Sequence, residues 1–202
     1  DLYCLGTIAD VMPLRGENRR LVVQGLAALQ NPARLGLRAL IEACECGNQP
    51  VTAGTIGYVL APRINAAGRM EHAELAVQLF LSDDPAQAAR LAQTLCRLNR
   101  ERQSTESVIY RDAVAQLRRG TCPDAIVLAG EGWHQGVVGI VASRLSEEFC
   151  RPAFLICMDG EHGKASSRSY GGFNLFASLR ELSPSEEFCR PAFLICMDGE
   201  HG

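Results

Sequence analysis

A chain of 202 residues with 47% apolar side chains has the size and composition of a globular protein of one or two domains with a real core. Its net charge of −3 supplies no bulk attraction to nucleic acid, so a contact of that kind has to come from a local patch. No basic segment leading into an apolar core opens the chain and no apolar run reaches about 18 residues, which argues against a spanning helix and for a cytoplasmic protein.

Two features of the chain set which part of it carries function. It opens on Asp1 with no Met, so the expectation is that its parent's N-terminus lies upstream. The segment SEEFCRPAFLICMDGEHG occupies Ser146 to Gly163 and returns unchanged from Ser185 to Gly202. Repeat architectures need about three or more diverged units to bury a shared core, and here there are two identical copies. The second is expected to be an intruding duplicate, and the functional reading rests on Asp1 to Pro184. Nine cysteines are present, two of them (Cys189 and Cys196) in the second copy, with no CxxC pair. Cys44 and Cys46 stand too close for ordinary zinc-ligand spacing, so reduced thiols packed as small hydrophobes are expected.

In chain order, Leu2 to Ala9 is a small, apolar run that ends on Asp10. The pattern suggests a buried parallel strand that delivers a carboxylate from its C-terminal end, where ligand sites lie in open α/β sheets. Asn18 to Leu29 has helical spacing, as does Leu35 to Cys44, which Gly47 ends. Thr52 to Leu60 leads into APRINAAGRM, which sets two arginines among small residues. Ala73 to Leu81 is helical by spacing. Asp84 can then cap a helix whose first residue is Pro85 and whose period holds to about Arg119. Its polar middle, Arg97 to Gln103, suits a helix that bridges two domains.

Gly120 to Pro123 punctuates the chain. Ala125 to Ala129 reads as a strand, Gly130 to Gly136 as a loop and Val137 to Phe149 as a helix. A strand over Pro152 to Met158 turns at Asp159-Gly160 into an antiparallel partner, Lys164 to Ser169, and Asn174 caps a last helix to Leu182. The order β-α-β-β-α predicts a small α/β domain.

Four constellations could carry chemistry. Asp10 is a carboxylate of the kind that ligates Mg²⁺ or Mn²⁺, or it caps a turn ahead of Pro13. Arg63, Asn65 and Arg69 sit among Ala and Gly, which suits close approach to phosphate oxygens; salt bridges are the plainer alternative. His134, Gln135 and Gly136 open a helix, whose free N–H groups make an anion site. Trp133 beside them either stacks on a base or packs, and a loop histidine is often structural. Alternation places Lys164, Ser166 and Arg168 on one face of their strand and Ser167 and Ser169 on the other. Such a face fits a groove that tracks a nucleic-acid backbone, or a charged edge strand kept soluble. No P-loop, dinucleotide-binding fingerprint, Ser-His-Asp order or HExxH occurs.

DLYCLGTIADVMPLRGENRRLVVQGL, APRINAAGRM, LNRERQ and GWHQGVVGIVASRLSEEFCRPAF follow one another across nearly all of Asp1 to Leu182. They resemble successive blocks of the RecJ-type single-stranded-DNA-specific exonucleases of the DHH phosphoesterase superfamily. The resemblance implies an α/β protein built from the end of a DHH domain, a long connecting helix and a partial DHH-associated domain. The matching divisions are residues 1–15, 16–120 and 121–184, with 185–202 the duplicate. It implies 5′→3′ hydrolysis of phosphodiester bonds with two divalent ions, Mn²⁺ or Mg²⁺, in DNA repair and recombination. Asp10 then looks like the last metal-site aspartate and the catalytic carboxylate, with Asp1 the weaker choice. Arg63, Asn65 and Arg69 face the DNA backbone, and His134, Gln135, Gly136, Ser167, Arg168 and Ser169 form the DNA side of the second domain. The implied partner is single-stranded DNA, with single-strand-binding protein a further partner left open, no membrane, and a monomer. The DHH motif and the Gly-Gly-His segment of the family are absent from the chain, so it is expected to be inactive as a nuclease by itself. A DNA-binding module without catalysis, and a relative that cleaves short oligonucleotides or cyclic dinucleotides, are the competing readings.

Overall fold

The computed structural model describes residues 1–47, 49–118, 124–160 and 162–181. The duplicated tail and the Gly120–Pro123 punctuation lie outside the described residues. The chain divides into two compact units, one over Asp1–Arg102 and one from Gln103 onward.

The described residues of the first unit are helical. Helices α1 (Leu2–Ala9), α2 (Gly16–Ala28) and α3 (Leu35–Ala43) are followed by a short α4 (Ala53–Thr55), a π-helical turn (Ile56–Leu60), α5 (Ala61–Met70) and α6 (Glu74–Leu81). Leu2–Ala9 is therefore not the strand its composition suggests. A short apolar run fits a buried helix as well as a buried strand, and only the flanks decide. Here Asp1 accepts a hydrogen bond from the Leu2 amide as the N-cap, and Cys4 and Leu5 bury one side of the helix while Tyr3 and Gly6 stay exposed. Cys4 packs where α2 carries Gly25, a side-chain-free spot into which its Cβ fits.

The core of this unit is made of Leu29, Leu37, Leu40, Ile56, Leu60, Leu79, Leu95 and Leu98, all without solvent exposure. Each contributes about 1.5–3 kcal/mol relative to an exposed side chain. The last two come from α7 (Pro85–Leu117), a helix of 33 residues. Asp84 caps it as the sequence predicts, accepting from the Ala86 and Gln87 amides at 3.0 and 3.2 Å. Ala88, Ala92, Leu95 and Asn99 form its buried stripe in the first unit, and Ile109 and Ala113 resume burial in the second.

The second unit carries β1 (Ile126–Glu131), α8 (Gln135–Phe149), β2 (Ala153–Asp159), β3 (His162–Arg168) and α9 (Leu175–Glu181). The sheet order is β1-β2-β3, with β1 and β2 parallel and β2 and β3 antiparallel, in the register Ile126↔Ala153↔Arg168. Ile126, Leu128, Ala153 and Leu155 line the buried face under α8, while Val127 on the opposite face is exposed. The β1–α8–β2 crossover and the β2–β3 hairpin reproduce the predicted α/β order. Tyr110 of α7 donates to Glu148 of α8 at 2.5 Å and lies under the Arg144 guanidinium at 3.7 Å, which ties the end of α7 to this layer.

Candidate nucleic-acid interface

Asp10 stands at the C-terminal end of a helix, not of a strand. It is the C-cap of α1 and is exposed. The chain then reverses through Val11, whose φ is +53°. The Met12 amide donates to Thr7 O at 3.0 Å and the Val11 amide to Ile8 O at 3.1 Å, the paired bonds of a Schellman ending. Glycine is the usual residue at that position. A β-branched side chain there is strained by about 1–2 kcal/mol, and strain of this kind collects at functional positions. Asn18 braces the reversal: its Nδ2 donates to Pro13 O at 3.1 Å, and its Oδ1 accepts from Tyr3 at 2.5 Å. The carboxylate is thus held outward on a rigid corner. Among the described residues no group of three or more His, Cys, Asp or Glu side chains is placed to hold a metal ion.

The APRINAAGRM stretch is helix α5, and helical geometry divides the residues that the sequence presents together. Arg63 falls on the same side as the buried Ala66 and Ala67, whereas Asn65 and Arg69 fall on the exposed side. Arg63 is half-buried; its Nη1 donates to Val59 O at 2.7 Å, and its Nε is buried with no hydrogen-bond partner among the described residues. Its charge lies near Cys44, where it opposes the effect of burial on that thiol.

In the second unit the β1–α8 corner holds His134 as the N-cap of α8. Its Nδ1 accepts from the Gly136 amide at 3.1 Å, so the neutral ring carries its proton on Nε2 and one of the free helix-end donors is already taken. Gln135, the first residue of the helix, is exposed. Trp133 does not stack outward. It is 8% exposed, its Nε1 donates to Asp112 of α7 at 2.9 Å, and its indole covers Gly130 so closely that a Cβ there would sit 2.2 Å from the ring.

Helix α8 and strand β3 run side by side. A Cβ on Gly139 would lie 2.8 Å from Ser166 Oγ and 3.6 Å from Arg168 Nη2. Further along, Arg168 Nε donates to Ser143 Oγ at 2.8 Å, and Ser146 Oγ donates to Ser169 O at 3.1 Å. Arg168 Nη1 also donates to Ser167 O at 2.9 Å, so the guanidinium is fixed along two of its edges. Ser166 and Arg168 share the α8 face, as alternation predicts, and Lys164 follows them on it, exposed. Ser167 points to the opposite face and is 7% exposed; Ser169 is exposed. Asp112 and Ser143, which fix Trp133 and Arg168, are 21 and 25 residues from their partners and carry no motif that would mark them in sequence.

The DHHA1 domain model matches residues 123–186. The single-stranded-DNA-specific exonuclease RecJ of Bacillus subtilis (strain 168) is 45% identical over 184 residues, covering 90% of this chain and 23% of that protein. The protein of the same name from Thermus thermophilus is 42% identical, covering 89% and 26%, and that from Escherichia coli (strain K12) 37%, covering 90% and 33%. Among solved structures, RecJ in complex with Mg²⁺ from Thermus thermophilus superposes with a TM-score of 0.77 at 41% identity, over 89% of this chain and 28% of that one. An exonuclease RecJ bound to manganese gives 0.77 at 42%, over 89% and 44%. The chain spans about a quarter to a third of the curated relatives it matches.

Proposed function

We propose that the chain is the strand-holding part of a RecJ-type 5′→3′ single-stranded-DNA exonuclease acting in DNA repair and recombination. The observation that carries this reading is the row of hydroxyls and cations between α8 and β3, with Arg168 locked by Ser143 and Ser167 in a fold shared with RecJ structures. A guanidinium fixed along two edges is pre-organised for phosphate oxygens. Gly139 lets Ser166 and Arg168 lie close against α8, and Lys164 extends the row. His134 presents Nε2–H at the same helix end. On the first unit, Asn65 and Arg69 take the backbone, while Arg63 lies on the buried side of the same helix and is bonded to Val59 O.

Mn²⁺ or Mg²⁺ supplies the hydrolytic chemistry in this reading, by activating water and stabilising charge on the phosphate. In this reading Asp10, the exposed C-cap of α1, is the residue of this chain that would contribute to such a site. One carboxylate does not hold a pair of ions, so the described residues do not by themselves fit the metal centre, and no step is assigned to them. The chain on its own is expected to be monomeric, to bind single strands and to leave them intact. No described helix is long and apolar enough to cross a membrane.

The test is fluorescence anisotropy of a labelled oligothymidylate with the purified 202-residue chain over a range of salt, beside a cleavage assay with Mn²⁺. Affinity that falls steeply with salt and exceeds that for a duplex is expected, with no cleavage. Equal affinity for the duplex overturns strand holding, and metal-dependent cleavage overturns the assignment of a non-catalytic part.

A further inference from the structure

The first unit exposes an aromatic side chain that its core does not need. Tyr58 is 87% exposed, the most exposed of the large hydrophobic side chains described. It sits in the π-helical turn, whose wider winding is closed by the Ala61 amide donating to Ile56 O. Such turns are rare and recur at functional sites. Counting along the continuous helical stretch, Tyr58, Pro62, Asn65 and Arg69 stand at i, i+4, i+7 and i+11, one stripe that flanks the buried Ala66 and includes the exposed Asn65 and Arg69.

The π-helical turn that carries Tyr58 packs beside α1, the helix that ends at Asp10: a Cβ on Gly57 would meet Ile8 Cγ2 at 3.8 Å, and Ile8 is two residues before Asp10. The chemistry of the stripe selects its occupant. Tyr58, Asn65 and Arg69 offer a flat exposed aromatic, an amide and a cation. That combination suits a base on the ring and phosphates along the helix.

We propose that Tyr58 is a stacking platform for a base of single-stranded DNA, next to the corner that carries Asp10, with Asn65 and Arg69 taking the adjoining backbone. This rests on the strand-holding reading and adds the residue that grips a base.

The experiment compares wild type, Tyr58→Ala, Tyr58→Phe and Arg69→Ala on two labelled strands of equal length, an oligothymidylate and its abasic counterpart. Tyr58→Ala should weaken oligothymidylate binding about ten-fold and leave abasic binding unchanged, because only the stacking partner is lost. Tyr58→Phe should bind like wild type. Arg69→Ala should weaken both strands alike. Tyr58→Ala that binds both strands like wild type, or loses both equally, overturns the platform while strand holding stands. Wild type that binds neither strand overturns both. A strand carrying 5-iododeoxyuridine gives a readout without any substitution: photo-crosslinking to Tyr58 is expected, and crosslinks elsewhere alone overturn the proposal.

Discussion

Trp133 and Asp112 are joined by a 2.9 Å hydrogen bond from the indole Nε1 to a carboxylate oxygen, across two elements that meet nowhere in the sequence. The bond fixes the β1–α8 corner, and with it His134, to the second half of α7. Gly130 completes the latch by leaving its Cβ position to the ring.

Breaking the latch should be costly. Asp112→Ala leaves a buried indole donor without its partner and should lower stability by about 1–2 kcal/mol, whereas Asp112→Asn keeps an acceptor and most of the stability. Gly130→Ala forces the indole out and should cost about 1–3 kcal/mol. Trp133 is the one tryptophan of the chain, so urea unfolding followed by its fluorescence reads this corner directly. An Asp112→Ala midpoint equal to wild type would show that the bond contributes nothing.

The Asp10 corner makes the opposite prediction. Val11 adopts φ +53° and is 69% exposed, so its side chain adds strain and little burial. Val11→Gly should raise stability by about 1 kcal/mol through relief of the left-handed backbone. A thermal melt that shows no gain would mean that Val11 makes up the strain through contacts.

Much of this architecture was legible because long periodic segments and their punctuation are local. Asp84-Pro85 starts α7, Asn174 caps α9 through the Ala177 amide, and the β-α-β-β-α order follows from runs of apolar residues between turns. Helix α1 was not legible: eight mostly apolar residues have no period that separates strand from helix, and packing against Gly25 settles the matter. Helix α5 gave only a weak apolar stripe, because Ala66, Ala67 and the stem of Arg63 share its inner face with Ile64 and Met70. For the same reason Arg63 could not be separated from Asn65 and Arg69 by spacing until the helix was known. The partners of Trp133 and Arg168 are tertiary pairs, which no local pattern encodes.

Arg168 should behave as a fork and not as a point charge. Its Nε and Nη1 are held by Ser143 Oγ and Ser167 O at 2.8 and 2.9 Å, and a lysine ammonium cannot make both bonds and still face a phosphate. Arg168→Lys should therefore weaken single-strand binding nearly as much as Arg168→Ala, each several-fold. Arg168→Ala should also reduce the salt slope by about 1. Ser143→Ala should weaken binding more mildly, since it removes only the bond that aims Arg168. Anisotropy titrations over salt give all three, and a lysine variant indistinguishable from wild type would refute the fork.

The thiols set the response to high pH. Cys44 is pushed up to about 12, first by burial, with Arg63 opposing and Cys96 adding to the rise. Burial also raises Cys4 and Cys157 above their ordinary value. A thiol whose folded pKa lies above the unfolded one keeps its proton in the folded chain after the unfolded chain has released it. Its contribution to stability is then complete below about pH 9 and is lost as pH rises toward 12. The urea midpoint should decline across that window, and less steeply in Cys44→Ala, whose comparison with wild type removes the effect of other groups that titrate there. Reactivity gives an independent check. The thiolate is the nucleophile, so near pH about 8.5 iodoacetamide should modify the exposed Cys150 well before Cys44. Equal rates at the two positions, read by peptide mass spectrometry, would mean that the α3–α7 contact around Cys44 and Cys96 opens to solvent in the folded chain.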